Sequence, residues 1–435
     1  MSDYLTSNWW ETNAFEGAYA TKNDGWEDLD GDLEMFIAID EFLTGERKSA
    51  WDHERLVWDR HVQKLLHEER FHVRYRMPLK DFEALVELLG DDIVPDIRQA
   101  KRRNVEPIYP EMVAAIGIRV LAGGNYDDIM NTYGVSKSGY YHSRNRFLKA
   151  LLGNEWLDIN LPSTPAEWEQ KRKGFAAKSA NGVLKGCVGA LDGFFQPCIC
   201  PTALESDGCP RSYYSGHYQS YGLNCQAMCD ARLRFMFFSV IAPGQTNDAV
   251  AYEATGLHDL LEKLPSGVYV AGDAAYVLTE HLLVPFTGTS RHDPDRDSYN
   301  FYLSQLRIRI EMTFGLLTTK WRILRKKLEN TLENSAKLLE ACARMHNYVL
   351  NCQIRDEEET EEAATEDDRT EPEIHVMHDS PLGWGYLPTV ADLETVLGTS
   401  ATRDAVLRKI ARHGFRRPTH NLERRRLELQ DIGLM

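Results

Sequence analysis

Short apolar runs and apolar residues at helical spacing alternate along the middle of the chain. The runs at 187–191 and 268–271 predict buried strands, because continuous hydrophobic residues suit a strand that is covered on both faces. Residues 222–229 and 232–242 are also strand-like, and the intervening Asp230-Ala231 indicates a hairpin. Apolar residues spaced by three and four predict helices, most clearly over 303–317. We therefore expect an α/β protein.

Upstream of these strands, the pattern predicts a helical domain of residues 51–160. A helix-turn-helix is expected at about 107–152, with helices over 110–121 and 126–132 and with Ser136 as the N-cap of a third, longer helix. The third helix mixes aromatic and basic side chains, as helices that lie in a DNA major groove do. The alternative is a plain three-helix bundle whose basic face is solvated. The candidate DNA contacts on this helix are Lys137, Tyr141, Arg144, Arg146 and Lys149.

Three carboxylates occupy positions that suit a metal site. Asp192 ends the first apolar run, Asp273 follows the second, and Glu311 lies on the polar side of the helix over 303–317. Such carboxylates could bind two divalent cations, which clamp the attacking and leaving oxygens of a phosphodiester. Taken singly, each is more often a turn residue, a helix cap or half of a surface pair, here with Arg307. The order of the elements favours the metal site.

That order is a strand with Asp, a hairpin, a helix, a strand with Asp and a helix with Glu. It resembles a ribonuclease-H-like core, a mixed five-stranded sheet flanked by helices, here preceded by the all-α helix-turn-helix domain. Motifs over residues 71–351 further resemble the PIF/Harbinger transposases, a branch of the DDE transposases. These motifs are Ala190-Leu191-Asp192-Gly193, Tyr221-Gly222-Leu223-Asn224-Cys225-Gln226 with Asp230, Gly244-Gln245-Thr246-Asn247-Asp248, Gly272-Asp273-Ala274-Ala275-Tyr276, Pro285-Phe286, Asn300 with Ser304, Arg307 and Glu311 through Phe314-Gly315, and His346-Asn347-Tyr348.

The resemblance implies a metal-dependent DNA endonuclease or transposase that cuts and joins DNA at transposon ends. It implies that Asp192, Asp273 and Glu311 form the catalytic triad, and that these residues with Asp248 hold two Mg2+ or Mn2+ ions. It also implies terminal inverted repeats and target DNA as substrates, a Myb-like partner protein and a homo-oligomer. One departure is the loop Ser215-Gly216-His217, where many relatives carry a basic pair.

Two alternatives to this function stand beside it. A domesticated relative could keep the fold and bind DNA or chromatin partners without cutting, and a nuclease could act outside transposition. Either would share the carboxylates. Terminal inverted repeats flanking the coding sequence would distinguish a mobile element from a domesticated gene.

The charge is unevenly distributed. A net charge of −16 argues against binding to a polyanion. However, residues 356–373 hold eleven Asp or Glu against one Arg, whereas 101–150 hold eight Lys or Arg against four acids and 301–330 hold seven against two. The two basic segments are the candidate DNA faces. Within the second, the candidate contacts are Arg307, Lys320 and Arg322.

Cysteine usage and hydropathy favour an intracellular protein. The eight cysteines lack C-x-x-C spacing, so we expect neither a disulfide framework nor a structural zinc site. We see no membrane span and no signal peptide. The expected location is the nucleus, or the cytoplasm when a partner is missing. The remaining predicted segments are an acidic flexible one (1–50), the nuclease domain (180–351), an acidic disordered linker (352–381) and an extension (382–435) whose basic residues 403–426 serve nuclear targeting or DNA contact.

Overall fold

The structure, a computed structural model, describes residues 54–94, 106–288, 293–365 and 400–418. The predicted N-terminal segment 1–50, residues 366–381 of the predicted linker, and residues 382–399 and 419–435 of the predicted extension lie outside these ranges. The helices are α1 (Trp58–His67), α2 (Phe71–Tyr75), α3 (Leu79–Leu89), α4 (Pro110–Leu121), α5 (Tyr126–Tyr133), α6 (Lys137–Gly153), α7 (Pro165–Lys178), α8 (Asp248–Ala254), α9 (Leu257–Leu261), α10 (Pro294–Lys320), α11 (Leu332–Thr365) and α12 (Ala401–His413). The strands are β1 (Cys187–Pro197), β2 (Tyr214–Ser215), β3 (Ser220–Cys229), β4 (Phe235–Pro243), β5 (Tyr269–Ala271) and β6 (Leu282–Leu283).

A mixed sheet with helices packed on it carries the predicted metal site. Its strands follow the order β4, β3, β1, β5, β6, and β2 pairs with the first residues of β3. β1 is antiparallel to β3 and parallel to β5, which is parallel to β6. The sheet described here has six strands rather than the expected five. The additional strand is β2, where the ring of Tyr214 packs edge-on against Tyr221.

Strand β1 is longer than predicted, and the expectation that Asp192 ends a strand is wrong. The parallel ladder with β5 stops at Ala190, but the antiparallel ladder with β3 continues to Pro197 and places Asp192 opposite Ala227. Gly193 interrupts the apolar pattern, yet the aromatic pair Phe194-Phe195 favours extended backbone and maintains the pairing. Asp192 therefore lies beyond the end of the parallel half of the sheet while remaining inside a strand.

Helix α10 packs against β1 and carries Glu311 to the edge of this region. Its buried face is formed by apolar residues three to seven positions apart, which leaves Glu311 on the exposed side. Phe314 of α10 stacks on Phe194 of β1 with ring centroids 5.1 Å apart. The buried residues of the stripe are Leu303, Leu306, Ile310 and Leu317.

The three helices predicted for residues 107–152 are present. Helix α4 has the predicted bounds, α5 extends one residue past its predicted end, and Ser136 caps α6 by accepting the N–H of Gly139. Asn125 caps α5 in the same way. DNA recognition by these helices remains a prediction.

Helix α11 joins the helical domain to the sheet domain. It continues to Thr365, so residues 352–365 are helical, although the sequence predicts a disordered linker from residue 352. Its Tyr348 hydroxyl donates to the carbonyl of Asp81 in α3, and Arg355 pairs with the Asp81 carboxylate at 3.2 Å. Among the described helices, none combines the length and the apolar content that crossing a bilayer requires.

The described part of the predicted basic segment 403–426 packs against the sheet domain. The Arg403 guanidinium lies 4.2 Å from the centre of the Phe286 ring. Lys409 donates to the carbonyls of Gly182 and Val183, and Arg416 pairs with Asp295. These basic side chains make internal contacts that anchor α12.

Candidate active site

Asp192 is the most perturbed carboxylate of the site. Its pKa is raised to about 7, mainly by burial and then by the charge of Asp273, with a smaller contribution from Asp248, while Arg307 and the N–H of Gly193 act in the opposite direction. That N–H donates to Asp192 Oδ1 over 2.9 Å. A carboxylate in this environment would be stabilised in its charged form by a nearby cation.

Asp273 is held in the turn that follows β5. Its Oδ1 accepts the N–H of Ala275 at 2.7 Å. Asp273 is therefore a turn residue, as one interpretation of the sequence suggested. Burial raises the pKa of Asp273, the Ala275 N–H and Arg307 counteract this, and Asp248 adds to it. The turn therefore holds a carboxylate whose pKa also depends on the other charged groups of the site.

Glu311 and Asp192 are linked by one guanidinium. Arg307 Nη1 lies 2.5 Å from Glu311 Oε1 and 3.6 Å from Asp192 Oδ2. The two carboxylate oxygens are therefore within about 6 Å of each other, a span that ions roughly 3.5–4 Å apart could bridge. The sequence suggested that Arg307 and Glu311 form a surface pair within α10. In the structure, Arg307 also contacts Asp192 of β1.

Asp248 is held by side chains of the sheet and does not cap its helix. Asn247 is the N-cap of α8, since its side chain accepts the N–H of Val250. Asp248 Oδ1 instead accepts from Asn224 Nδ2 at 3.0 Å and Gln226 Nε2 at 3.1 Å. This arrangement places a fourth carboxylate against the strand that pairs with β1.

Two further residues complete the support of Asp248. The hydroxyl of Tyr276 donates to Gln226 Oε1 at 2.7 Å, which orients that amide. A Cβ at Gly193 would lie 2.2 Å from Asp248 Oδ1, so only glycine leaves room for this approach. In the sequence these residues belong to recognised motifs, but nothing there assigns them roles.

The donor set fits divalent cations in its chemistry, because it consists of hard carboxylate oxygens with raised pKa values at Asp192 and Asp273. In the positions shown, no three His, Cys, Asp or Glu side chains of the described residues converge closely enough to hold an ion together. Arg307 pairs with both Asp192 and Glu311 in this arrangement, so its single positive charge offsets only part of their negative charge.

An aromatic stack borders the carboxylates, and sequence reasoning missed it. The ring of Tyr218 lies parallel to that of Phe195 at 4.3 Å, and Tyr218 is 57% exposed. Burial of the hydroxyl raises the pKa of Tyr218, and Asp248 and Asp192 raise it further. His217 packs edge-on against Tyr218 at 4.7 Å. The loop that lacks the relatives' basic pair thus supplies aromatic surface beside the site.

The candidate DNA contacts on α6 differ in their surroundings. Lys149 is exposed, whereas Arg146 donates to the carbonyl of Val94 at 3.2 Å. Arg144 lies 5.0 Å from the centre of the Tyr141 ring and donates to Asn145, and burial lowers its pKa. Lys137 is partly exposed at the start of α6.

The candidates after Glu311 approach the helical domain. Arg322 is exposed beside Arg76 and Arg119. Burial lowers the pKa of Lys320, and the nearby charge of Arg76 lowers it further. The two basic segments predicted as DNA faces, 101–150 and 301–330, therefore meet at Arg119 and Arg322.

Residues 191–347 match the family of DDE superfamily endonucleases. That span contains Asp192, Asp248, Asp273 and Glu311, and its mixed sheet flanked by helices is consistent with such a fold. This part of the chain is therefore similar to a DDE superfamily endonuclease domain.

Two curated relatives extend the similarity beyond that domain. The "Protein ALP1-like" of Arabidopsis thaliana is 22% identical over 293 residues, which cover 64% of this chain and 70% of that protein. The "Putative nuclease HARBI1" of Xenopus laevis is 24% identical over 314 residues, which cover 71% of this chain and 84% of that protein. These matches confirm the predicted resemblance to Harbinger-derived nucleases. No solved structure matches the chain.

Proposed function

We propose that the protein is a metal-dependent DNA endonuclease of the PIF/Harbinger type, with a ribonuclease-H-like core, that cleaves and joins phosphodiesters at transposon ends in the nucleus. The supporting observation is that four carboxylates from separate elements, Asp192, Asp248, Asp273 and Glu311, lie near enough for their charges to interact. One Arg307 nitrogen reaches both Asp192 and Glu311, and the charges of Asp273 and Asp248 raise the pKa of Asp192.

Mg2+ or Mn2+ held by Asp192, Asp273 and Glu311 would supply an activated water or 3′-hydroxyl and stabilise the leaving oxygen. If cations bound its two carboxylate partners, Arg307 would be available to pair with a phosphate oxygen. Asp248 keeps its place through Asn224 and Gln226 and adds negative charge to the cation site. The exposed face of Tyr218 offers a stacking surface for a base near the scissile phosphate.

Cleavage by the full-length protein tests this proposal. A duplex that carries the terminal inverted repeats flanking the coding sequence would be incubated with Mg2+, with Mn2+ or with EDTA. We expect Asp192→Asn, Asp273→Asn and Glu311→Gln each to reduce cleavage by more than the roughly 10- to 100-fold typical of residues that only orient a metal ligand. Glu253→Gln, an exposed carboxylate on α8, is the control and should retain full activity. Undiminished metal-dependent cleavage by the triad variants would overturn the proposal.

A second candidate is DNA binding without cleavage. It is favoured by the contacts of Arg307, which already pairs with Asp192 and Glu311 in the positions that the structure gives. Isothermal titration with Mn2+ separates the two functions. Heat of binding that disappears in Asp192→Asn supports the nuclease, whereas duplex binding with no Mn2+ signal in the wild type supports this second candidate.

The same proposal includes three further points: α6 recognises DNA, the protein acts with a Myb-like partner, and it forms a homo-oligomer. Replacing Arg144, Arg146 and Lys149 together should weaken duplex binding and flatten its salt dependence by about one unit of slope for each phosphate that is no longer bound. An unchanged slope would move the DNA-binding face away from α6. Sedimentation of the protein, with and without a Myb-like protein encoded beside it, tests the assembly.

A further inference from the structure

A concave basic surface lies where the helical domain meets the endonuclease domain. It consists of two adjoining cavities of about 310 and 400 Å³ that share Arg76, Arg119 and Arg322. The basic side chains that line them come from the segment around α2, from α4 and from the turn after α10. We name it the interdomain basic cleft, defined by Arg70, Arg74, Arg76, Arg119, Arg322, Arg325 and Lys326.

Glycine at the end of α4 allows the two domains to approach this closely. Gly123 has φ of +82°, and a Cβ there would lie 3.0 Å from the backbone carbon of Arg322. Any other residue would therefore push the turn that carries Arg322 away from α4, which carries Arg119. On the opposite wall, Arg76 adopts a left-handed φ of 66° directly after α2.

Charge in the cleft is nearly uncompensated. Seven basic side chains line the two cavities and Glu68 is the one acidic residue among the lining groups, paired at 4.0 Å with Lys64. Within the described residues, no ion pair joins any of the seven to a carboxylate. Burial lowers the pKa of Arg76, and the charges of Arg119 and Arg322 lower it further.

Two arginines of the cleft have hydrogen-bond donors without acceptors among the described residues, which also favours an anionic ligand. The Nε atoms of Arg74 and Arg76 are buried without a hydrogen-bond acceptor in the part of the chain that the structure describes. Arg344, at the other contact between the two domains, is by contrast supplied with acceptors from Asp158, Glu340 and a main-chain carbonyl. An anionic ligand in the cleft would supply the missing acceptors.

We propose that the interdomain basic cleft binds phosphate groups of a DNA backbone and so holds the duplex across the junction of the two domains. This proposal rests on the proposed function for the identity of the polyanion. Guanidinium groups bind phosphate with two parallel hydrogen bonds, and several arginines around one concavity can hold neighbouring phosphates. The same chemistry would accept a free phosphate compound, which the experiment distinguishes.

The test measures binding of an arbitrary-sequence duplex by fluorescence anisotropy in EDTA over a series of salt concentrations. The variant is Arg119→Gln/Arg322→Gln, and Arg119→Lys/Arg322→Lys retains the charge. A second control, Arg60→Gln/Lys263→Gln, removes two exposed charges elsewhere. In the Gln variant, the decrease of log affinity with log salt should be less steep by about 2 units, since each bound phosphate contributes about 0.9. Both controls should keep the wild-type slope.

A parallel measurement follows the melting temperature during titration with inorganic phosphate. If phosphate stabilises the wild type and not the Gln variant while duplex binding is the same in both, the ligand is a free phosphate compound and the backbone assignment fails. If neither measurement separates the Gln variant from the wild type, the site itself is excluded. Arg325→Gln/Lys326→Gln, two exposed positions, replaces the first variant if it does not fold.

Failure of the proposed nuclease activity would look different. Binding is measured without metal, and Asp192→Asn should keep the wild-type salt slope even though it cannot cleave. A protein that binds through the cleft and never cuts would support the cleft while overturning the endonuclease. Normal cleavage by the wild type, together with a salt slope that is unchanged in the Gln variant, would support the endonuclease and overturn the cleft.

Discussion

At Gly193, one added methyl group would displace a carboxylate of the site. The missing Cβ of Gly193 leaves room for Asp248 Oδ1, which would otherwise lie 2.2 Å away. Displacing that carboxylate by about 1 Å is enough for a loss on the order of 100-fold in rate. We therefore expect Gly193→Ala to keep its thermal unfolding profile and lose metal-dependent cleavage.

Gly315 supplies the matched control. It lies on α10, four residues after Glu311, and a Cβ there meets no atom within 4 Å. Gly315→Ala should keep cleavage and gain up to about 1 kcal/mol of stability from the helix preference of alanine. Equal activity of the two alanine variants would show that Asp248 does not need its present position.

Asp248 itself allows a sharper experiment, because the helix cap and the carboxylate are separate residues. Asn247 caps α8, so Asp248→Asn and Asp248→Ser should leave the helix intact. Both changes remove a negative charge that Asn224 and Gln226 hold in place. We expect cleavage to fall by roughly tenfold or more in each, as for other residues that support a metal ligand. Full activity of both variants beside an inactive Asp192→Asn would contradict this role.

The sequence predicted the elements that carry Asp273 and Glu311 better than the contacts that hold the carboxylates in place. Asp273 and Glu311 lie on the expected kinds of element, since a short apolar run and a helical stripe are local signals. The bridge from Arg307 to Asp192 and the stack of Tyr218 on Phe195 join residues far apart in the chain. Local periodicity carries no information on such contacts.

At the scale of elements, the hairpin between β3 and β4 is fixed by residues from two helices. Asp230 is buried in the turn, accepts the N–H groups of Arg232 and Arg234, and pairs with Lys171 of α7 at 2.9 Å. Asn347 of α11 exchanges two 2.8 Å hydrogen bonds with the backbone of Phe235. The motif His346-Asn347-Tyr348, which carries part of the family resemblance, therefore has a structural role.

His346 makes this hairpin sensitive to acid. It is 2% exposed, and its Nε2 donates to the carbonyl of Leu233 at 2.8 Å. Burial lowers its pKa to about 4, and nearby Lys320 lowers it too, against the opposing effect of Leu233 and Asp230. The unfolded chain thus binds a proton more readily, so the stability present above about pH 6.5 is lost as pH falls toward 4.

Urea unfolding at two pH values measures this effect. Between pH 7 and pH 5, His346 should account for a loss of about 2 kcal/mol in the free energy of unfolding. His346→Gln, which can still donate to Leu233, should lose correspondingly less than the wild type over the same interval. Identical pH dependence in the two proteins would mean that His346 titrates normally in the folded state.

The length of β1 shows where element prediction failed. Apolar patterning identified its first half, which pairs with β5 up to Ala190, where the pairing with β3 begins. Its second half pairs through Gly193 and two aromatics with β3, and only the partner strand reveals that continuation. The same holds for β2, whose two residues are extended because Tyr221 lies opposite Tyr214.

On the scale of the whole molecule, the helical domain and the sheet domain are joined through α11. Arg344 of α11 is 11% exposed and donates to the carbonyl of Leu152 at 3.1 Å at the end of α6. It also pairs at 2.6 Å with both Asp158 and Glu340. One guanidinium therefore satisfies a carbonyl that the end of a helix leaves without a partner. This junction lets Arg119 and Arg322 line the same cleft.

We expect Arg344→Ala to lower the free energy of unfolding by about 2–3 kcal/mol, because it leaves partly buried acceptors without a donor. Arg232→Ala is the control. Arg232 also pairs with a glutamate, Glu358, at 2.7 Å, but the two side chains are 52% and 57% exposed. Water replaces such a pair at a cost of about 0.5 kcal/mol or less. Chemical denaturation of both variants separates these cases.

The same Arg344 variant tests whether the two domains depend on this junction. If they do, Arg344→Ala should split one unfolding transition into two. It should also lower the salt slope of duplex binding, because the walls of the interdomain basic cleft, which belong to different domains, would no longer stay together. Equal, small losses of stability in Arg344→Ala and Arg232→Ala would show that other contacts hold the domains in place.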